Sequence, residues 1–333
     1  MKKILLSIFL SPLLSIIVFS QEQVSTTENS SKNCAVQLKV ELLNSGKVGN
    51  ISLFSSSCND KKLEREAVEA AKNIKFEPEI KDNKPTTITK TVEYKFFIQD
   101  EKAEAIIKKA VEKLGGEKYL QVKSQIGRGR FSVLRDNVII SFQTFVDVIV
   151  FPDKERTEFK GGARNVQTNV GKSGWVFDGD AGVLKEQDKA QIESFERGIN
   201  ASLDNLLRGG WRNEAVLSYV GKRQASLGKR NDVVKLVYPN GFAVEFEFSD
   251  DGTPAKSIFK RTNADNEEIK EEDRYAQFID VQGIKTPFII DRFINNAQSS
   301  RINYESVEYN KSISDSIFAK PKSAKELKKD LKL

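Results

Sequence analysis

The residues that could do chemistry are few. Histidine is absent from the 333 residues, and the lone methionine is Met1. That removes the Ser-His-Asp triad, the Cys-His pair, the His-ligated zinc site and the histidine general base together. Thioether ligation and methionine-rich binding grooves go with them. Asp178-Gly179-Asp180-Ala181-Gly182 has the opening of a calcium loop. An EF-hand wants Gly at the sixth place and Glu at the twelfth, where Val183 and Lys189 stand, so the segment reads as a turn. Gly127-Arg128-Gly129 lacks the third glycine and the following helix of a dinucleotide site, and reads as strand glycine that lets a helix approach. Glu245 and Glu247 alternate along a strand, which puts them on a solvated face rather than in a glycosidase pair. No catalytic residue, cofactor or metal is assigned, and an enzyme using carboxylates alone is the weakest reading.

The elements that would position any site begin with an export signal. Lys2-Lys3 precede an apolar run from Ile4 to Phe19, and Val18-Phe19-Ser20 sets up a cleavage site before Gln21. That is the three-part anatomy of a secretory signal over residues 1–20. The alternative is an uncleaved anchor, but the run is short for a span and Pro12 interrupts it. Residues 21–33 are polar and read as a flexible leader. The expected location is the periplasm. Length predicts two domains or one large one, and 39% hydrophobic residues suffice for packed cores. The net charge of +6 is spread along the chain, which implies no nucleic-acid partner. A Lys-rich tail, residues 322–333, could make peripheral contact with anionic lipid head groups, or be a solvated end.

Residues 34–97 read as a β-β-α-β unit. Val36, Leu38, Val40 and Leu42 alternate on one face, Asn44-Ser45-Gly46-Lys47 turns the chain, and Ile51 and Leu53 mark the return strand. In such a hairpin, paired residues share an index sum, about 92 for a turn centred near Gly46. Cys34 and Cys58 share it, and an exported chain meets an oxidising compartment, so they are expected to form a disulfide rather than two free thiols. A helix follows over residues 61–75, with Leu63, Ala67, Ala70, Ala71 and Ile74 on one stripe, then a strand through Ile88, Val92, Tyr94 and Phe96.

The run Val36, Gly46, Val48, Leu63, Ala67, Ala70, Ala71, Phe76, Pro78, Pro85 and Val92 resembles the TonB C-terminal domain family. The resemblance implies docking of a short segment of an envelope protein partner on a sheet edge, through main-chain hydrogen bonds. The strand carrying Thr89, Thr91, Val92, Tyr94 and Phe96 is the expected edge. A purely structural module is the alternative.

Residues 99–321 read as a large antiparallel sheet with few helices, so the whole chain is classed α+β. A helix with Ala103, Ile106, Ile107, Ala110, Val111 and Leu114 on one face stops at Gly115-Gly116. Strands follow, with a long apolar one at 138–151, a clean row of Phe242, Val244, Phe246 and Phe248, and a helix at 191–208. Lys113-Leu114-Gly115-Gly116, Gly174-Trp175 with Asp178-Gly179, the run Asp280 to Pro287, and Asn310 to Pro321 together resemble the LolA-like superfamily of outer-membrane lipoprotein carriers. That resemblance implies a half-barrel closed by helices around an apolar cavity for acyl chains. The expected wall is Val138, Ile140, Phe142, Phe242, Val244, Phe246 and Phe248, with Ile192, Phe195 and Ile199 on a covering helix. The same residues could instead pack on one another as solid core. Two functions follow: a non-enzymatic periplasmic carrier of a lipid or acyl chain, or an envelope adaptor whose second domain is filled.

Overall fold

The computed structural model describes residues 33–331 apart from 59, 98–99, 264 and 329–330. The expected signal and nearly all of the expected leader lie outside the described residues.

The N-terminal unit is built on β1 (Asn33–Leu42), β2 (Val48–Ser56), α1 (Lys61–Lys72), a short hairpin β3 (Glu79–Lys81) and β4 (Lys84–Thr86), and β5 (Ile88–Phe97). Its sheet has the order β2-β1-β5. Alternation in β1 buries Val36, Leu38, Val40 and Leu42 under Ala67 and Ala71 of α1. Alanines there let the helix backbone approach the sheet. Asp60 caps α1, its carboxylate accepting from the Lys62 amide at 2.8 Å. The hairpin β3–β4, not foreseen from the sequence, turns at Asp82-Asn83, both with positive φ, as a two-residue connection requires.

Cys34 and Cys58 are bonded, with their Cα atoms 4.9 Å apart. The register that brings them together differs in detail from the simple count. Leu42 pairs with Val48, so the turn is centred one residue earlier than Gly46. Two bulges, each adding a residue to β2, then shift the pairing until Val36 faces Ser56 and Cys34 reaches Cys58.

The second unit begins with α2 (Glu101–Leu114) and α3 (Glu117–Leu120), followed by a meander of β6 (Ser124–Arg135), β7 (Val138–Val150), β8 (Lys154–Lys160), β9 (Asn165–Val170), β10 (Ser173–Asp178) and β11 (Val183–Glu186). Two helices, α4 (Lys189–Ala201) and α5 (Leu203–Arg208), then intervene. A second meander returns through β12 (Val216–Ser226), β13 (Lys229–Val237), β14 (Ala243–Phe248), β15 (Pro254–Thr262), β16 (Glu268–Val281), β17 (Ile284–Ile294) and β18 (Ala297–Tyr309). The result is one open, antiparallel, 13-stranded sheet, ordered β11-β10-β9-β8-β7-β6-β18-β17-β16-β15-β14-β13-β12. The first and last strands of the unit, β6 and β18, pair at its middle, and α4 and α5 connect its two edges.

The pairing of β6 with β18 explains Gly127 and Gly129. A Cβ on Gly127 would meet the Tyr304 ring at 2.4 Å, and one on Gly129 would meet the Asn303 carbonyl oxygen at 2.1 Å. The glycines admit a neighbouring strand and its tyrosine, not a helix. The helix expected over 191–208 is two helices broken at Ser202, whose side chain accepts from the Asn205 amide and starts α5 afresh.

The opposite face of the sheet holds buried charge. Glu158 is fully buried between Arg156 and Arg164, at 2.6 and 2.5 Å. The same arginines donate to the carbonyls of Ile317 and Leu327, and the Trp175 indole donates to that of Phe318 at 2.9 Å. The chain end is therefore strapped down, with Phe318 and Leu327 buried on Val148, Val166 and Trp175. Glu247 is not solvated as its alternation suggested; it is 0% exposed and held by Arg223, Asn231 and Lys256.

Breaking the disulfide, by reduction or by Cys34→Ser with Cys58→Ser, is expected to destabilise the first unit by about 3 kcal/mol, the chain entropy regained when a loop of 24 residues opens. Hydrogen exchange of β1 and β5 amides under native conditions measures this. Unchanged protection would show that the bond adds nothing to stability.

Candidate functional site

The concave face of the large sheet is occupied in two ways. At the β12–β15 end, α2 and α5 lie directly on it. Ala103, Ile107, Ala110 and Leu114 of α2 and Leu203, Leu206 and Leu207 of α5 join Leu217, Leu236, Val244, Phe246, Phe248 and Trp211 in one core. Asp100 starts α2, accepting from the Lys102 and Ala103 amides, and its other oxygen accepts from the Tyr219 amide of β12 at 3.0 Å, tying helix to sheet. Arg208 anchors α5: it donates to the Tyr119 and Val122 carbonyls at 2.9 and 3.0 Å and pairs with Asp204 at 2.9 Å.

Between this core and β6–β9 the sheet curves away from the helices and leaves a cavity of about 1170 Å³. Its roof is α4 and the start of α5, contributing Phe195, Gly198, Ile199 and Leu203. A reciprocal cap fixes the start of α4: Asp188 accepts from the Gln191 amide at 2.9 Å, and the Gln191 side chain accepts from the Asp188 amide at 3.0 Å. The walls are the inward-facing residues of β6–β8 and β15–β18.

The expected wall residues fall in three places. Phe195 and Ile199 line the cavity, and Ile192 on the same helix does not. Val244, Phe246 and Phe248 are on the concave face but inside the solid core under α2 and α5, with Phe242 half-buried beside them, its ring 5.7 Å from that of Phe259. Val138, Ile140 and Phe142 are elsewhere, at 62%, 52% and 62% exposure. The reason is length: β7 meets β8 only from Thr144 onward, so the tip of the β6–β7 hairpin projects past its neighbour. In the first unit, β5 is an edge strand among the described residues, paired with β1 along one side. Thr89 and Thr91 point outward there, and Val92, Tyr94 and Phe96 are half-buried against the α1 side.

The cavity wall is not the purely apolar surface expected. Phe131, Phe145, Phe159 and Tyr304 form an aromatic tier, with ring centroids 5.6 Å apart for Phe131–Phe159 and 5.5 Å for Phe145–Tyr304. One register step along β7 and β8 lies a polar tier: Asp147 faces Thr157, with Glu155 next to them. The Thr157 hydroxyl lies 2.8 Å from Asp147 Oδ1 and 3.1 Å from Glu155 Oε1. From the other wall come Asp273 and Arg292, 3.6 Å apart. Asp147 is only 7% exposed. Burial, and then the Glu155 charge, push its carboxyl well above the usual carboxylate range against the opposing pull of Thr157 and Arg292. Burial also raises Glu155 and Asp273, again against Arg292. Tyr304 is pushed up by burial and then by the charges of Asp147 and Glu155. The one signal in the sequence was Asp147 itself, a carboxylate inside the apolar stretch 138–151.

These raised values have a consequence for stability. A carboxyl that binds its proton more tightly folded than unfolded stabilises the fold while protonated, and that contribution fades as pH rises through its folded value. Between the ordinary carboxylate range and neutrality, lowering the pH is therefore expected to stabilise the second unit. Asp147→Asn should flatten that dependence, as read from urea midpoints at several pH values. Equal slopes in the two proteins would refute the assignment.

Residues 28–98 match the model of the Gram-negative bacterial TonB protein C-terminal family. No curated protein matches the chain. Among solved structures the chain is similar to a DUF1329 family protein from Desulfovibrio piger, at 12% identity and a TM-score of 0.47, covering 65% of this chain and 97% of that one. It is similar also to a LolA superfamily protein from Nitrosomonas europaea, at 14% identity and a TM-score of 0.46, covering 66% and 97%. A third is a domain from Vibrio parahaemolyticus described as an outer membrane lipoprotein-sorting protein, at 9% identity and a TM-score of 0.44, covering 65% and 97%.

Proposed function

We propose that this chain is a non-enzymatic binding protein of the Gram-negative envelope, acting in the periplasm. Its second unit holds a hydrophobic ligand, a lipid or lipoprotein acyl chain, and its first unit docks on an envelope partner. The observation that carries the reading is the cavity of about 1170 Å³ beneath α4, larger than the roughly 300–1,000 Å³ usual for small-molecule sites. Phe195, Ile199 and Leu203 above, and Ile149, Ile290 and Ile302 below, offer a chain-shaped ligand apolar surface on both sides. The family match over residues 28–98 supports an envelope location and a docking role for the first unit. The expected export signal at residues 1–20 agrees with that location.

A second reading, an adaptor that binds protein alone, draws on β5, whose outer side has no strand partner among the described residues. A strand added there would gain main-chain hydrogen bonds.

The test is mass spectrometry of an organic extract of the natively purified protein, with titration by a neutral hydrophobic dye such as Nile red. A stoichiometric lipid or saturable dye binding is expected, and Gly198→Trp is expected to abolish it. Gly198 lines the cavity, and a Cβ there meets nothing within 4 Å, so the substitution adds bulk at the roof with no clash at its Cβ. A clean extract together with no dye binding would leave only the adaptor.

A further inference from the structure

We propose that the ligand of this cavity carries a cationic ammonium head, recognised by the Asp147–Glu155 pair and the aromatic tier beside it. The inference rests on the reading of the cavity as a binding site and names the chemistry of what it binds.

The first observation is a shortage of donors. A hydroxyl has one proton. Thr157 therefore satisfies either Asp147, at 2.8 Å, or Glu155, at 3.1 Å, and leaves the other carboxylate without it. Arg292 is the nearest cation on the opposite wall, and it is engaged by Asp273 at 3.6 Å. Asp147, more than nine-tenths buried and lining the cavity, thus has no cation within ion-pair distance among the described residues. A buried carboxylate in that position is costly unless a proton or a cation arrives.

The second observation is the contrast with the opposite face of the same sheet. Glu158 there is held by two arginines, and Glu247 by Arg223 and Lys256. This fold neutralises the carboxylates it buries for structure. Those facing the cavity are left to something that enters it.

The third observation selects the kind of cation. Among the described residues, no group of three or more His, Cys, Asp or Glu is placed to hold a metal ion. Phe145 and Phe159 face each other one register step from Asp147 and Thr157, and the Tyr304 ring packs on Phe145. Aromatic faces beside carboxylates suit an organic ammonium, which is drawn to ring quadrupoles as well as to negative charge. Beyond this head site the cavity continues under Phe195 and Ile199, where an alkyl chain would lie.

Three probes of equal chain length, used below their micellar concentrations on the purified chain, test the inference: dodecyltrimethylammonium, dodecanol and dodecanoate. The ammonium is expected to bind about tenfold or more tighter than the carboxylate. Asp147→Asn with Glu155→Gln should erase that preference and retain dodecanol binding. Arg292→Gln, which removes a positive charge from the cluster, should widen the preference, and it provides a test should the double variant not fold. Dodecanol binding with no preference for the cation overturns this inference and leaves the cavity reading intact. So does a preference that survives in a folded double variant. Binding of none of the three overturns both.

Discussion

The second unit depends on one long-range pairing. β6 and β18, separated by most of that unit's length, lie side by side at the middle of its sheet. Each meander is local and needs only its own turns. The β6–β18 seam joins them into one surface, and it does so where Gly127 and Gly129 give way to β18 and the Tyr304 ring. Side chains at those two positions would hold the halves apart. Because the seam is central, β11 and β12 are the outermost strands of the sheet among the described residues, and the chain must travel from one to the other between them. α4 and α5 make that journey across the concave face, which is why a roof exists at all.

The two faces of this sheet handle charge in opposite ways. The outer face buries Glu158, Glu247 and Glu272, each beside two or more basic side chains. Arg156 and Arg164 go further and hold the carbonyls of the C-terminal segment, so that the strap and the ion network depend on each other. The concave face divides between a dry core under α2 and α5 and a cavity whose wall mixes aromatic rings with under-neutralised carboxylates. Buried charge of the first kind is part of the architecture. Charge of the second kind raises carboxyl pKa values and makes protonation, or a ligand, part of the energetics.

Period and composition made much of the architecture legible. Alternation in 36–42 and the alanine stripe of α1 named the layers of the first unit, and the common index sum of Cys34 and Cys58 named the disulfide. The facing of α2 was equally clear from Ala103, Ile107, Ala110 and Leu114. Other features were beyond a periodic reading. β12 and β13, rich in Lys and Arg over residues 222–235, have too little apolar alternation to read as strands. Ser202 divides α4 from α5 because its hydroxyl caps a new helix in the middle of an unbroken apolar stripe. The row Phe242 to Phe248 was correctly inward, yet inwardness is shared by core and cavity.

The sequence by itself determined the kinds of local structure, the cross-strand cysteine pair and the absence of histidine chemistry, because each depends on residue type or on short-range spacing. Tertiary structure alone decided which inward positions face helices and which face open volume. Phe142, three residues from Phe145, faces the opposite side of β7 from Phe145, Asp147 and Ile149, and β8 pairs only from Thr144 onward, so Val138, Ile140 and Phe142 project while the other three line the cavity. Asp147 and Glu155 come from the β7–β8 hairpin, and Asp273 and Arg292 from the β16–β17 hairpin. Only the β6–β18 seam, which joins the two meanders, brings them within reach of one another.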